Sequence, residues 1–243
     1  MIPRFSKIKK ITHFIGPVNK NLPPLFINTL PKAGTNLIEE CILMGGYRRS
    51  WARCWNEKNI NKRQIIPEQG RMHIGHLTEE GVIDFSRFQS VFVRRSLWDC
   101  LNSYLNYMLI QRNHKVSKFI REAYENGDIA KSVKMLFFTD SNPLGRSLIS
   151  EYERFYALDL SKYDGIINFE DFIILGKKSK EVISNLLNIE ISESELLMRA
   201  ALEAKTSTKN IGKYNIFASI DKDTQKEIMT MVIEKELYLK NGN

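Results

Sequence analysis

Short apolar runs alternate along the chain with longer segments in which apolar residues recur every three or four positions. The first run, residues 25–30, is rich in β-forming residues and follows two prolines. A buried parallel strand has these properties. From Thr35 the spacing becomes helical, until a Gly-Gly pair at 45–46 ends it. The pattern therefore predicts a strand, a tight loop and a helix, in that order.

The same alternation continues to the end of the chain. It predicts further strands at residues 71–77, 90–93 and 165–169, and helices near 97–111, 118–124, 131–138, 144–156, 178–187, 193–204 and 221–239. With 243 residues and 43% hydrophobic content, the chain can bury one sizeable core. We expect one α/β domain over residues 1–243, with a central, mostly parallel sheet flanked by helices. Residues 1–20 are expected to form a loosely ordered N-terminal arm.

The net charge of +8 indicates an anionic partner, which could be a nucleic acid, an acidic membrane surface or a highly charged small molecule. No apolar run reaches the roughly 18 residues that a membrane span requires. The cysteines lack the spacing of a zinc site or of a disulfide framework; they are Cys41, Cys54 and Cys100. We therefore expect a cytoplasmic protein without a membrane span.

The loop after the first strand has the composition of an anion-binding site. Backbone N–H groups of a Gly-containing loop and of a helix's first turn converge there, the helix dipole favours negative charge, and Lys32 adds a cation. Nearby side-chain donors are Thr29, Thr35 and Asn36. The alternative is an ordinary turn with a chance lysine. A Walker A motif is excluded, because Ala33 follows Lys32 where that motif has the hydroxyl that binds Mg²⁺.

A second anion site is predicted where the strand at 90–93 ends. Arg94 and Arg95 follow that strand, and Asp99 and Ser103 lie one turn apart on the helix that comes next. Two positive charges and a hydroxyl would suit an anion. An ion pair between Arg95 and Asp99 is the structural alternative, and the two interpretations are compatible.

Two histidines belong to the strand predicted at 71–77. His76 comes near the end of that strand, where side chains emerge above a parallel sheet, and His73 lies further back. A histidine in such a position can act as a general base near neutral pH. For either residue taken alone, a hydrogen-bonded structural role is the alternative.

Two polar, cationic segments carry weaker signals. Residues 47–71 are basic and include Trp51 and Trp55, a mixture that suits nucleic acid but also a loop lining a substrate cleft. Residues 205–214 are rich in hydroxyls and lysines, which fits either a phosphate clamp or a solvated surface loop. Composition does not separate these alternatives.

Taken in order, these motifs resemble those of the cytosolic-type sulfotransferases, which use 3′-phosphoadenosine 5′-phosphosulfate (PAPS) as donor. Residues 29–37, T-L-P-K-A-G-T-N-L, resemble the family's phosphosulfate loop T-x-P-K-S-G-T-x-[WL]. Arg95, Asp99 and Ser103 resemble its 3′-phosphate motif. Weaker similarities are Ile74-Gly75-His76-Leu77 to the catalytic histidine segment, Asn168-Phe169-Glu170-Asp171 to a Y-E-D segment, and Ile211-Gly212-Lys213-Tyr214 to the C-terminal loop.

The resemblance implies a P-loop-like, three-layer fold, PAPS as donor, adenosine 3′,5′-bisphosphate (PAP) as product, and no metal. It implies that His76 is the base and that Lys32 stabilises the leaving oxygen. The implied donor-binding residues are Lys32, Ala33, Gly34, Thr35, Asn36, Leu37, Arg95, Ser103, Phe169 and Lys209. The chain departs from the family pattern at Ala33 for Ser, Leu37 for Trp, Phe169 for Tyr, and in the loop around Lys209.

Other functions fit parts of the sequence. The runner-up is a P-loop-type kinase using ATP and Mg²⁺, and the third is a basic nucleic-acid-binding module. A sulfotransferase is not expected to have a nucleic-acid partner. Its acceptor would be a hydroxyl or an amine on a small molecule or a carbohydrate, and a monomer and a homodimer are both compatible with the sequence.

Overall fold

A computed structural model of the chain describes residues 18–50, 56, 60, 65–79, 82–110, 115–204 and 215–241. These residues divide into two compact units. The first unit lies within Met1–Arg94 and Asp159–Thr206, and the second lies within Arg95–Leu158 and Ser207–Asn243. The expected single domain over residues 1–243 stays a prediction.

The first unit contains the central sheet, and the predicted α/β fold is confirmed. The strands are β1 (Leu25–Thr29), β2 (Arg48–Arg49), β3 (Arg71–Gly75), β4 (Gln89–Arg94) and β5 (Gly165–Asn168). Among the described residues, the sheet has five strands in the order β2-β3-β1-β4-β5, and each pairing between them is parallel. Because carboxyl ends of parallel strands meet at one edge, the residues that follow β1, β3 and β5 are brought to the same side of the sheet.

Helices connect and follow the strands. They are α1 (Thr35–Met44), α2 (Leu97–Ile110), α3 (Lys115–Asn126), α4 (Ile129–Phe138), α5 (Leu148–Tyr156), α6 (Phe169–Ile173), α7 (Lys177–Leu187), α8 (Ile191–Glu203) and α9 (Lys222–Asn241), with short 3₁₀ turns at Phe85–Arg87, Leu160–Lys162 and Ile216–Ser219. In the described ranges no helix is both long and apolar enough to cross a bilayer.

Strand β1 lies at the centre of the sheet because every one of its positions can be buried. All five of its residues are buried, and its register pairs Phe26 with His73 and Asn28 with Gly75 on one side. On the other side it pairs Thr29 with Val93. A parallel strand covered on both faces tolerates few polar residues. Asn28 and Thr29 are therefore exceptions that require partners.

Strand β2 lies within the basic segment 47–71, where the apolar pattern predicts no strand before residue 71. Arg48 and Arg49 pair with β3, and the Arg49 guanidinium forms an ion pair with the buried Glu39 of α1. Arg71 Nη1 donates to the Arg49 carbonyl oxygen at 2.9 Å. Two consecutive arginines do not produce an apolar run, so the pattern could not reveal this strand. Trp51 and Trp55 lie outside the described residues.

In the second unit, the spacing predicts an apolar stripe on α2 made of Trp98, Leu101, Leu105 and Met108. The last three are buried and Trp98 is half-buried. The spacing at 221–239 also predicts that Ile228, Met231, Val232 and Leu239 form the apolar side of α9, which is partly wrong. Ile228 and Val232 are buried, but Met231 is 39% exposed.

The buried stripe of α9 includes a carboxylate, Glu236. One of its oxygens accepts the backbone N–H of Leu97 at 3.0 Å, and the other accepts the Tyr156 hydroxyl at 3.1 Å and lies 2.7 Å from Lys240 Nζ. The first N–H groups of a helix have no intrahelical acceptor, so a buried acceptor at this point stabilises the start of α2.

Candidate functional site

The loop between β1 and α1 reverses direction within a few residues. Lys32 and Gly34 have φ angles of 67° and 87°, both in the left-handed region. The backbone N–H of Ala33 donates to the Leu30 carbonyl oxygen at 3.1 Å, and Leu37 N donates to the Gly34 oxygen at 2.8 Å. The loop is thus a compact turn that leads directly into the first turn of α1.

The N-terminus of α1 has the electrostatic character of an anion site. Its N-cap residue is Gly34, no side chain of the described residues caps it, and its first turn contains no acidic residue. The backbone N–H groups of a first turn lack intrahelical acceptors and carry a partial positive charge. Thr35, Asn36 and Leu37, three of the predicted donor-binding residues, make up this turn. Leu37 N already donates to the Gly34 oxygen, so an anion would supply acceptors for the N–H groups at the very start of the turn.

Lys32 is the predicted cation of this loop, and it is partly buried. Burial lowers its pKa to about 8, because the ammonium loses solvation that the neutral amine does not need. A bound anion would restore favourable electrostatics for the ammonium and raise that pKa. The loop thus carries a cation whose charge an anion would stabilise.

Phe169, at the start of α6 directly after β5, lies against this loop. A methyl group built on Gly34 would come within 2.1 Å of the Phe169 ring. The Phe169 ring thus packs directly against Gly34, at the start of α1. This contact brings together two predicted donor-binding residues that are far apart in the sequence.

His76 follows β3 and is held by the end of β1. Its Nδ1 lies 2.8 Å from the Thr29 carbonyl oxygen and 3.0 Å from Thr29 Oγ1. A carbonyl oxygen can only accept, so Nδ1 carries the hydrogen. In the neutral ring the lone pair is then on Nε2. The backbone of Thr29 therefore selects the tautomer in which Nε2 can accept a proton.

The Thr29 hydroxyl connects the histidine to the anion-binding loop. Thr29 Oγ1 lies 2.8 Å from Thr35 Oγ1, in the first turn of α1. With the Nδ1 hydrogen shared between the carbonyl and hydroxyl oxygens of Thr29, hydrogen bonds run continuously from His76 through Thr29 to Thr35. The predicted base and the predicted loop are part of one network.

Sequence reasoning missed Asn28. This residue is 0% exposed, its Oδ1 accepts the Leu77 N–H at 2.8 Å, and its Nδ2 donates to the Leu77 oxygen at 2.9 Å and to the Tyr163 hydroxyl at 2.8 Å. The available signal was a polar amide in an otherwise apolar buried strand. Such a residue needs partners, but the sequence alone does not identify them.

His73, the other candidate base, lies in an aromatic environment. It is 4% exposed, stacks parallel to Phe26 at 6.5 Å and meets Phe88 edge-on at 5.6 Å. Burial lowers its pKa to about 4, so the ring is neutral at physiological pH. These contacts are those of a core histidine.

The second anion motif belongs to the second unit. Arg95 Nε lies 4.0 Å from Asp99 Oδ2, so the structural pair is formed. Ser96 Oγ donates to the same carboxylate at 2.8 Å and accepts the Asp99 N–H at 3.2 Å, which caps α2. Ser103 is half-buried two turns further along α2.

The remaining predictions concern the C-terminal loop and metals. Lys209 and the segment 211–214 lie outside the described residues. Among the described residues, no group of three or more histidine, cysteine, aspartate or glutamate side chains is arranged to hold a metal ion.

Comparison with known proteins identifies the type of fold. The chain is similar to the crystal structure of mouse sulfotransferase SULT7A1 complexed with PAP, with a TM-score of 0.51, 96% of this chain and 92% of that chain covered, and 13% sequence identity. No protein-family model matches the chain, and no curated protein matches it. The fold is therefore of the sulfotransferase type, as the resemblance predicted.

The contact between Gly34 and Phe169 yields a prediction about stability. Gly34→Ala should lower the free energy of unfolding by about 2–4 kcal/mol, because a left-handed φ costs an L-residue ~1–2 kcal/mol and the methyl group overlaps the Phe169 ring. In a Phe169→Ala background the overlap disappears, and only about 1–2 kcal/mol should remain. Denaturant titration of the four proteins measures both values. If Gly34→Ala lowered the free energy of unfolding equally in the wild-type and Phe169→Ala proteins, the contact between Gly34 and Phe169 would be contradicted.

Proposed function

We propose that this chain, with its sulfotransferase-type fold, transfers a sulfuryl group from PAPS to a hydroxyl or amine of a small-molecule or carbohydrate acceptor. The observation that carries the proposal is the hydrogen-bond chain from His76 through Thr29 to Thr35. It links a potential base to an uncapped helix N-terminus beside a cation. Base, anion site and cation are what sulfuryl transfer requires.

The donor supplies an activated sulfuryl group, bonded to a phosphate oxygen. The first turn of α1 would bind the 5′-phosphosulfate through backbone N–H groups and the Thr35 hydroxyl, since that turn has neither a capping side chain nor an acidic residue. Phe169 would pack near the nucleotide. Arg95 and Ser103 are proposed ligands of a 3′-phosphate, and Lys209 is proposed from the resemblance alone.

Lys32 is proposed to stabilise the leaving group. As the bond from sulfur to the bridging phosphate oxygen breaks, negative charge develops on that oxygen, and a fixed ammonium lowers the energy of the transition state. Its partial burial suits this role, because electrostatic interactions are stronger away from water. Because the pKa of Lys32 is lowered to about 8, its amine would stay protonated at mildly alkaline pH only when the anionic donor is bound.

His76 is proposed as the general base. The acceptor hydroxyl or amine forms a bond to sulfur while its proton passes to Nε2, and PAP leaves with the electron pair of the broken bond. The Thr29 carbonyl oxygen supports this assignment, because it holds the proton of the neutral ring at Nδ1. It also stabilises the imidazolium that forms after proton transfer.

Ligand binding distinguishes this proposal from a kinase. Isothermal titration calorimetry should show PAP binding about 10- to 100-fold tighter than AMP, the matched ligand without a 3′-phosphate, because a charge-assisted contact contributes ~1.5–3 kcal/mol. ATP with Mg²⁺ should bind more weakly than PAP. Tighter binding of ATP, dependent on Mg²⁺, would overturn the sulfotransferase proposal in favour of a kinase.

The lowered pKa of Lys32 predicts how PAP affinity depends on pH. A bound anion favours the ammonium and raises its pKa, so affinity should be highest below pH 8 and fall as pH rises through about 8. Lys32→Met should weaken binding at pH 7 by about 10- to 100-fold and abolish this decline. Lys32→Arg, which stays charged, is the matched control and should bind with little pH dependence between 7 and 10. A flat wild-type profile would contradict the role of Lys32.

Substitution of the histidine separates catalysis from binding. His76→Ala should lower the rate of sulfuryl transfer by about 10²- to 10⁴-fold, since a general base contributes this much. Its PAP affinity should change less than threefold. Transfer is measured as PAP release with a panel of phenols, alcohols and amines, and His73→Gln serves as the control. An unchanged rate in His76→Ala at every pH would exclude His76 as the base.

A further inference from the structure

We infer that Asn28 is a positioning residue that holds His76 in its reactive orientation by clamping the backbone of Leu77. The inference rests on the proposed function and extends it to a residue outside the predicted motifs. Asn28 does not touch the reacting groups; it acts through the segment that carries the base. The three hydrogen bonds of its amide, to Leu77 N, Leu77 O and Tyr163 Oη, are the basis.

The side chain of Asn28 extends the pairing of β3 beyond the end of that strand. In the sheet, the backbone of Asn28 is aligned with Gly75, the last residue of β3. Two residues after Gly75, the Asn28 amide forms hydrogen bonds with both backbone groups of Leu77. Its Oδ1 accepts the Leu77 N–H and its Nδ2 donates to the Leu77 carbonyl oxygen, as the backbone of a neighbouring strand would do. Leu77 is thus held in strand-like pairing although β3 has ended.

The position of His76 is consequently fixed by the residues before and after it in the chain and by a hydrogen bond to its ring. Gly75 before it belongs to the sheet, Leu77 after it is clamped by Asn28, and Nδ1 is bonded to the Thr29 carbonyl oxygen. A residue bracketed in this way has little freedom to rotate Nε2 away from its direction. Orientation of this kind contributes to catalysis because a misplaced base is far less effective.

An asparagine is specifically required at this position. An aspartate could accept from Leu77 N, but its second oxygen would face the Leu77 carbonyl oxygen where Asn28 now donates. A serine is too short to bond both groups. Tyr163 fixes the remaining amide hydrogen and is itself packed between Phe85 and Phe92, with centroids 5.1 and 5.3 Å away. All three polar groups of the amide are used, which accounts for a fully buried amide in the central strand.

The test observes the His76 ring directly. In ¹⁵N-labelled protein at about pH 8.5, where an ordinary histidine is neutral, NMR distinguishes the Nδ1–H tautomer from the Nε2–H tautomer. The His76→Gln spectrum assigns the signal. Wild type should show one Nδ1–H species. Asn28→Asp and Asn28→Ser should show a mixture of tautomers, while Tyr163→Phe, which retains both bonds to Leu77, should show a smaller change in the same direction.

A matched control separates positioning from loss of stability. Ser90 is also buried in the sheet, and its hydroxyl donates to the Asp164 carboxylate at 3.2 Å rather than to His76, Thr29, Asn28 or Leu77. Ser90→Ala should leave the His76 tautomer unchanged. The Asn28 variants should lower the transfer rate about 10- to 100-fold while PAP affinity changes less than threefold. If Asn28→Asp does not fold, Asn28→Ser and Tyr163→Phe still provide the comparison.

The outcomes separate this inference from the proposed function. A wild-type tautomer signal in the Asn28 variants would overturn the inference, whatever the enzyme does, because the readout needs neither donor nor acceptor. An altered tautomer together with unchanged transfer would also overturn it, provided that His76→Ala abolishes transfer. An altered tautomer in a protein that does not bind PAP would leave the clamp in place and reject the sulfotransferase proposal.

Discussion

The hydrogen bond between the Thr29 carbonyl oxygen and His76 Nδ1 is the interaction on which the candidate site depends. It occurs where β1 ends and the anion-binding loop begins, so one short stretch of backbone positions both components. The strand is buried over its whole length, which makes this end rigid. The end of β1 therefore positions the loop, the helix α1 and His76. Small motions of the sheet would move all three together.

The cation and the helix terminus in the first unit follow a common physical principle. The N-terminal turn of α1 lacks a capping side chain, and Lys32 is charged in a place where burial disfavours the charge. Each of these features costs free energy in the absence of an anion, and each is relieved when one binds. Binding of an anion at these residues would therefore stabilise the native state. Stability and ligand affinity are in this way linked at the same few residues.

The sequence predicted those parts of the molecule that depend on local pattern. The strand, loop and helix around Lys32 and the strand before Arg95 followed from apolar spacing. Strand β2 could not be predicted because its two residues are arginines stabilised by partners elsewhere, including Glu39. The contact of Phe169 with Gly34 and the clamp between Asn28 and Leu77 join residues far apart in the chain. Periodicity contains no information about such pairs, nor about the different surroundings of His73 and His76.

Glu236 distinguishes the start of α2 from that of α1. Its carboxylate accepts the Leu97 N–H, and Asp99 adds a second negative charge within the first turn of α2. The partial positive charge of that helix terminus is thus already neutralised by the protein's own acids. The dipole of α2 therefore adds little attraction for an anion near Arg95. Because Arg95 is partly solvent-accessible and already faces Asp99, its attraction for an anion is sensitive to ionic strength. Anion contacts with the backbone N–H groups in the turn after Gly34 are less sensitive to ionic strength. Added salt would therefore weaken anion contacts with Arg95 before it weakens those with the backbone N–H groups.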